Sequence, residues 1–533
     1  MTDEKQVGGS EQLPEDLPTI VSSRRDADFD IEADGSSTVD VGRKEEDSDE
    51  RNVAPLSLAQ LASIATNDPN AVRWNGEGDP ENPMNWTAKK KWLNIGVISV
   101  MTLLTPLGSS MFAPGVPDIM REFGSTDVNL ATFILSVYVA GFAFGPLVAA
   151  PMSELYGRAI CYNVGNALFV IFTIATALSK NMGMLIAFRF LMGFAGSTPI
   201  TNGSGTISDM FPVEQRGKAM AIWALGPLLG PALGPVAGGF LVEATNWRWV
   251  FWVIAIVGGV ITTLGYFLVK ETYPPVLLKA KVRRLSKETG NQNLYSVLED
   301  RTLTRKENFK VAIVRPLVLL CTALPITIFS MYLAVVYGVL YLLFSTFTFV
   351  YRQQYGFSQG VIGLSYLPTG IGMFIGVMVF GAVTDMLVKK QQSKKADIKP
   401  EDRLPVWLTL PTGLLVPASL FWYGWTVENN THWAVPMVAT GFFAFGLIGV
   451  MMCIQVYLVD SYIKYAASVI AAITVLRSLV GALLPLAGLT MYRKLGYGWG
   501  NGVLAFISLA MVPVPVAFRF FGEGIRKKFP AKV

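Results

Sequence analysis

The chain has 533 residues; 52% are hydrophobic, only 16% are charged, and the formal net charge is +5. Soluble domains average about 25% charged residues, so the composition points away from a water-soluble globule. Three cysteines (Cys161, Cys321, Cys453) and a single histidine, His432, exclude a disulfide framework, a histidine metal site and a histidine-based catalytic triad; no cofactor, metal or enzymatic chemistry is expected.

Residues 1–50 are acidic and rich in Ser and Gly, ending in Glu45-Glu46-Asp47-Ser48-Asp49-Glu50. Such a segment cannot bury enough apolar surface to fold. With no apolar stretch it predicts no cleaved signal peptide, leaving the first span as the insertion signal. From residue 92 onward, apolar runs of about twenty residues recur, the length a helix needs to cross roughly 30 Å of hydrocarbon at about 1.5 Å per residue. Spans are predicted at 92–113, 129–151, 160–179, 184–208, 219–242, 249–269, 329–350, 360–382, 405–426, 434–458, 464–490 and 501–521. The short apolar segment 315–328, with Pro316 and Pro325, reads as an interfacial lead-in to the seventh.

The expected fold class is therefore an all-α membrane protein, twelve transmembrane helices in two pseudo-symmetric six-helix bundles. Its expected parts are a disordered acidic tail (1–88), the first bundle (89–270), a basic loop (271–314), the second bundle (315–522) and a basic C-terminus (523–533). Lys89, Lys90 and Lys91, Arg216 and Lys218, the loops 270–315 and 383–404, and Arg526, Lys527 and Lys528 all fall on one side of twelve spans. Basic residues mark the cytosolic side, so both termini are expected there, and these charges are a topology signal rather than a nucleic-acid surface. Arg493 and Lys494 run against the trend. Asn429-Asn430-Thr431 is a glycosylation sequon on the outer side. There is no G-x-x-x-x-G-K-[ST] phosphate loop, so ATP is not the expected drive; two matched halves with both ends cytosolic is a secondary-transporter layout.

Several motifs add a resemblance. Asp79-Pro-Glu-Asn-Pro-Met-Asn-Trp86 precedes the first span, Lys270-Glu-Thr-Tyr-Pro-Pro-Val-Leu-Leu278 follows the sixth, and Ala466-Ala-Ser-Val-Ile-Ala-Ala-Ile473-Thr-Val-Leu-Arg477-Ser478 opens the eleventh. Together with Ala150-Pro-Met-Ser-Glu154-Leu-Tyr-Gly157-Arg158 and the glycine-proline helix Gly226-Pro227-Leu-Leu-Gly230-Pro231-Ala-Leu-Gly234-Pro235-Val-Ala-Gly238-Gly239, they resemble the major facilitator superfamily, and within it the fungal twelve-span drug:proton antiporters. The resemblance covers about residues 75–521. Ala150 and Ala159 depart from the usual Gly and basic residue of the first loop motif, Ile473 stands for a usual Asn, and Ser345 for a usual acid in span seven.

The resemblance implies a conformational latch of Glu154, Gly157, Arg158 and Asp209, with a weaker copy ending at Asp385. It makes span five an antiporter helix: glycines every fourth residue form one stripe for close helix approach, and Pro227, Pro231 and Pro235 bend the helix. Arg189, in Arg189-Phe-Leu-Met-Gly193, resembles a motif tied to proton transfer. A guanidinium stays charged, so it would act on a nearby acid or on substrate. No carboxylate lies deep in any predicted span; Asp118 is the candidate acid, and Arg477 is the other mid-span cation. Spans one, four, seven and ten line the cavity in such proteins, giving Ser109, Ser110, Thr198, Asn202, Tyr337, Tyr341, Phe344, Met451 and Gln455. Aromatics, Met and small hydroxyls suit an amphipathic organic molecule.

The expected function is export of a small drug, toxin or metabolite by a monomer in the cell membrane, or a vacuolar or vesicular one, in exchange for protons. A uniporter or importer on the same scaffold, including a polyamine carrier, is the alternative; a non-transporting sensor with a signalling tail is a third.

Overall fold

The computed structural model describes residues 68, 70–76, 78–212, 215–298, 305–393, 399–462 and 465–529. Of the predicted tail (1–88), residues 1–67, 69 and 77 lie outside them. The first half contains α1 (Ala88–Ser110), the short α2 (Val116–Glu122), α3 (Val128–Tyr156), α4 (Arg158–Ala177), α5 (Met182–Met210), α6 (Arg216–Ala244) and α7 (Trp247–Leu268). Connections are short because polar caps start the helices cleanly: Asp127, Asn181 and Asn246 each accept a backbone N–H of the helix that follows. Six of these helices are crossings.

The second half follows α8 (Pro274–Thr289) and α9 (Arg305–Thr322) with α10 (Leu324–Tyr355), α11 (Gln359–Leu364), α12 (Leu367–Ser393), α13 (Val406–Glu428), α14 (Ala434–Ser461), α15 (Ala466–Met511) and α16 (Pro513–Lys528). The 46 residues of α15 would reach about 69 Å at 1.5 Å per residue, twice a bilayer core. They do not, because Gly496 leaves helical geometry (φ 74°, ψ 174°). The Glu428 carboxylate at the end of α13 accepts the N–H groups of Tyr497 (2.6 Å) and Gly498 (3.2 Å) just beyond it. The chain reverses there, so the eleven continuous apolar segments among the described residues contain twelve membrane-length helices.

Leucines, valines and aromatics with no polar shield cover the outer surface: Ile160, Ile171, Ile256, Phe267, Met378 and Phe506 are all exposed. A surface this apolar needs lipid as solvent. Inside, α10 is buried along almost its whole length, from Phe329 through Tyr351. We call the end holding residues 86–91, 157, 211 and 528 the basic end, and its opposite the far end.

Two segments are more ordered than the sequence reading expects. Residues 70–86, placed there in the tail, fold against the "loop" 271–298. Ala71–Val72 pairs in parallel with Tyr295–Ser296. Asp79 and Lys281 form an ion pair of 2.9 Å with both side chains almost fully buried, and Arg284 pairs with Glu81 at 2.8 Å. The lead-in predicted at 315–328 is likewise split: α9 ends at Thr322, Ala323 is extended, and Pro325 starts α10, as a residue without an N–H can only in a first turn.

Candidate functional site

At the basic end the motif residues assemble around one guanidinium. α3 ends at Tyr156 and α4 starts at Arg158, with only Gly157 between them at φ 104°, a conformation that favours glycine. A Cβ there would also collide with the Glu271 carboxylate. Glu271 accepts the backbone N–H groups of Arg158 (2.9 Å) and Ala159 (3.1 Å), capping α4, and those of Thr272 (3.0 Å) and Tyr273 (2.8 Å). The Arg158 side chain reaches Asp209 of α5 at 3.3 Å and the Ser153 hydroxyl at 2.6 Å, and lies 4.8 Å from the Tyr273 ring. Thr272 donates to the same Asp209 oxygen at 3.3 Å. Outside the crossings, burial pushes the Tyr273 hydroxyl up to about 12, so it stays neutral beside this ion pair.

Gly157, Arg158 and Asp209 are thus brought together as the sequence reading expects. Glu154 makes no hydrogen bond among the described residues; its electrostatic neighbours are Arg158 and Arg315 of α9. The side chain of Asp385 lies outside the described residues. Sequence reasoning missed the Glu271-Thr272-Tyr273 triplet as latch residues: it flagged the segment, but nothing along the chain says that residues 113 positions apart meet.

α6 is one continuous helix through its three prolines. Its glycine stripe faces α1: a Cβ at Gly226 would meet Leu103 N at 2.9 Å, at Gly230 the Pro106 ring at 2.5 Å, and at Gly234 the Ser110 hydroxyl at 2.5 Å; at Gly238 it would strike the Met111 carbonyl. That is packing within the first half. The opposite face carries the seam between halves. Gly239 would meet the Gln359 carbonyl at 2.5 Å, while Gly363 and Gly370 of the second half abut Pro235 and Ala232. Pro227 and Pro231 sit between these faces, Pro231 buried and Pro227 half-buried.

At the basic end Arg315 of α9 faces Glu154 of α3, while toward the far end the seam is tied by hydrogen bonds. There Thr348 donates to Ala113 O at 3.1 Å, Glu243 accepts Gly360 N–H at 2.8 Å, and Thr490 donates to Asn129 at 3.2 Å. Gln359 donates to Asp118, whose other partner is Arg121 at 3.4 Å. Asp118 therefore belongs to the far-end seam; no bond joins it to Arg189.

Arg189 is fully buried. It donates to the carbonyls of Ile134 (2.9 Å), Gly108 (2.9 Å), Ser109 (3.0 Å) and Leu135 (3.5 Å) and lies 4.0 Å from the Phe112 ring and 5.0 Å from that of Tyr138. It staples α1, α3 and α5 through main-chain oxygens, with no acid bonded to it among the described residues. Across from it, Tyr341 is within hydrogen-bond reach of Ser109 and Tyr337. Tyr337, Tyr341 and Phe344 stack along α10 with ring centres 5.0 and 5.9 Å apart. Ser109, Asn202, Tyr341 and Phe344 are buried, whereas Tyr337, Met451, Gln455 and Arg477 are part-exposed. Ser110 bonds Pro106 O at 3.2 Å, and Thr198 packs on Gly165. Asn429 is exposed at the far end, and its amide donates to Trp425 O at 2.8 Å.

Helices long and apolar enough to cross a membrane, a seam toward one end and the Arg158–Asp209 ion pair at the other make up this multi-pass architecture. Residues 98–485 match the family model described as Major Facilitator Superfamily. The chain is 50% identical over 494 residues to the MFS-type transporter penM of Penicillium rubens, covering 92% of this chain and 96% of that one. It is also 50% identical over 480 residues to the efflux pump radE of Floropilus chiversii, covering 90% and 89%. Among solved structures, a D-xylose-proton symporter superposes with TM-score 0.58 at 15% identity, covering 80% and 98%. A bacterial homologue of the lysosomal transporter Spinster, inward-facing and unoccupied, gives 0.57 at 16%, covering 83% and 99%. The chain belongs to the major facilitator superfamily: it is a membrane transporter of small molecules, not an enzyme.

Proposed function

We propose that the chain exports a small amphipathic organic compound, of the drug, toxin or secondary-metabolite kind, by alternating access. The observation that supports this reading is the asymmetry of the bonds between halves: they cluster along α6 and its partners at the far end, and among the described residues no hydrogen bond of that kind joins the halves at the basic end, where Arg315 only faces Glu154. With the basic end cytosolic, as the lysines and arginines there require, this is the state that loads cargo from inside. The relative radE, named an efflux pump, supports the outward direction. The two halves, 89–270 and 315–522, rock about the smooth face of α6. The latch of Gly157, Arg158 and Asp209, with Glu154 and Asp385 as its outlying acids, holds the basic end of the first half.

Exchange for protons fits the glycine-proline helix at the seam. Its acids would be those at the ends of the crossings, Asp209 or Asp118, with Arg189 holding the helices between them. Transport without protons is the second reading, favoured by the absence of a carboxylate beside Arg189 among the described residues. The protein acts as a monomer in the cell membrane, with both termini cytosolic and Asn429 available for glycosylation outside. The test is expression in yeast stripped of efflux pumps, scoring accumulation of azoles and metabolites with and without a protonophore. Lower accumulation that the protonophore abolishes supports exchange; lower accumulation that persists supports the second reading; unchanged accumulation across the panel overturns export.

A further inference from the structure

No Asp or Glu lies between residues 129 and 153, 158 and 208, 216 and 242, 324 and 384, 431 and 459, or 466 and 522. The middle of the crossings therefore holds two cations, Arg189 and Arg477, and no anion. The two are treated differently by the fold. Arg189 is saturated by carbonyls. Arg477 has no hydrogen bond or ion pair to any described residue: its Nε is buried and unpaired, and its one partner is the Tyr337 ring, 4.6 Å from the guanidinium carbon. Arg477 is part-exposed, and a mid-span cation without a counter-ion among the described residues marks a place that a mobile anion can complete.

Its place in the fold says what comes to it. Gly481, one helical turn along α15 on the same face, abuts Tyr337 and also Val139 of the first half. Arg477 thus lies one turn to the basic-end side of a residue that touches the first half. Asn202, on α5 of the first half and 1% exposed, has an unpaired Nδ2 as well: donors without acceptors. At the far end, a cleft between the halves is lined by Arg493, Gln353, Ser125 and Tyr497, again with no carboxylate among its lining residues.

We infer that the cargo is an organic anion, and that Arg477 receives its carboxylate or ionised hydroxyl while the Tyr337 ring packs on its apolar body. The pairing supplies the missing counter-charge through charge-assisted hydrogen bonds; an amine cargo would meet two cations and no acid. The inference rests on the transporter reading but is tested without transport. The full chain in lipid nanodiscs is titrated at neutral pH with three radiolabelled probes that share one ring system: 1-naphthaleneacetic acid, its amide, and 1-(2-aminoethyl)naphthalene. The acid is expected to bind at least tenfold more tightly than the other two. Arg477→Gln should abolish that preference and Arg477→Lys should keep part of it, in samples that match wild type in monodispersity and thermal unfolding. Equal affinity for acid and amide, binding of none of the three, or a preference that survives Arg477→Gln would overturn the inference. Export fails separately, if accumulation in cells is unchanged.

Discussion

The two faces of α6 make the sharpest prediction, because one substitution has opposite meanings on them. Gly239→Ala and Gly230→Ala each add one methyl, and each Cβ would stand 2.5 Å from atoms that cannot rotate away, the Gln359 carbonyl and the Pro106 ring respectively. Ordinary contact is near 3.5–4 Å, so about 1 Å must be found, at a cost of about 1–3 kcal/mol. At Gly239 the clash exists only while the far end is closed, and opening relieves it. The closed-to-open ratio should therefore fall by roughly 5- to 150-fold, at about 1.4 kcal/mol per factor of ten. At Gly230 the clash is with α1 inside the same half and persists in every state, so stability falls and the ratio does not move. The assay is labelling of Ser109→Cys, which is 1% exposed, by a membrane-impermeant maleimide, in a Cys321→Ser background because Cys321 is the exposed thiol. Gly239→Ala should speed labelling from the far side; Gly230→Ala should leave it slow and lower the unfolding temperature. Equal labelling rates in the two variants would refute the assignment of faces.

Four further outcomes follow from single contacts. Glu271→Ala strips the cap from α4 and leaves two of its first N–H groups without their acceptor; a loss of about 1–3 kcal/mol should appear as a lower unfolding temperature, and Arg158→Ala should then cost less than it does in wild type. Arg189→Lys keeps the charge but not the fork that ties α5 to α1 and α3, so folded yield should fall by an amount corresponding to about 2–4 kcal/mol, measured by fluorescence-detected size exclusion. Gly496→Ala places a side chain in a backbone region reserved for glycine (φ 74°) and against Glu428, costing about 1–3 kcal/mol; wild-type unfolding in that variant would show that the chain does not reverse there. Burial alone would raise the Asp79 carboxyl, but the N–H groups of Asn75 and Glu81 and the Lys281 ammonium outweigh it and hold the group at about 2 against its usual 3.8. A depressed carboxylate contributes stability above its unfolded value and loses it on acidification, so protease protection of the 70–86 segment should be flat above pH 4 and decline toward pH 2, and Asp79→Asn should remove that decline.

Much of this was legible along the chain because lipid imposes a local rule. Every backbone polar group must be satisfied within its own helix, so a run of about twenty apolar residues declares a crossing wherever it ends up. The spans, the glycine period of α6 and the scarcity of mid-span acids were readable in this way, whereas Arg158 and Asp209 were paired through the family resemblance. Boundaries were less so: α10 runs from Leu324 to Tyr355 and not 329–350, because its ends are set by Pro325 in the first turn and by Gly356 in left-handed geometry (φ 65°), not by hydropathy.

Other assignments needed the third dimension. Lys281 is one of many basic residues in its segment, and only burial against Asp79 separates it from solvated neighbours. Arg189 and Arg477 look alike as mid-span cations, yet one is spent on four carbonyls and the other is unpaired. The sequence alone determined which segments enter the bilayer and how many times, since that depends on transfer of each segment from water. Which face of α6 meets α1 and which meets α12, and which arginine is left for a ligand, was decided only by tertiary packing. In lipid, hydrophobicity no longer sorts one helix face from another, and only shape and pairing do.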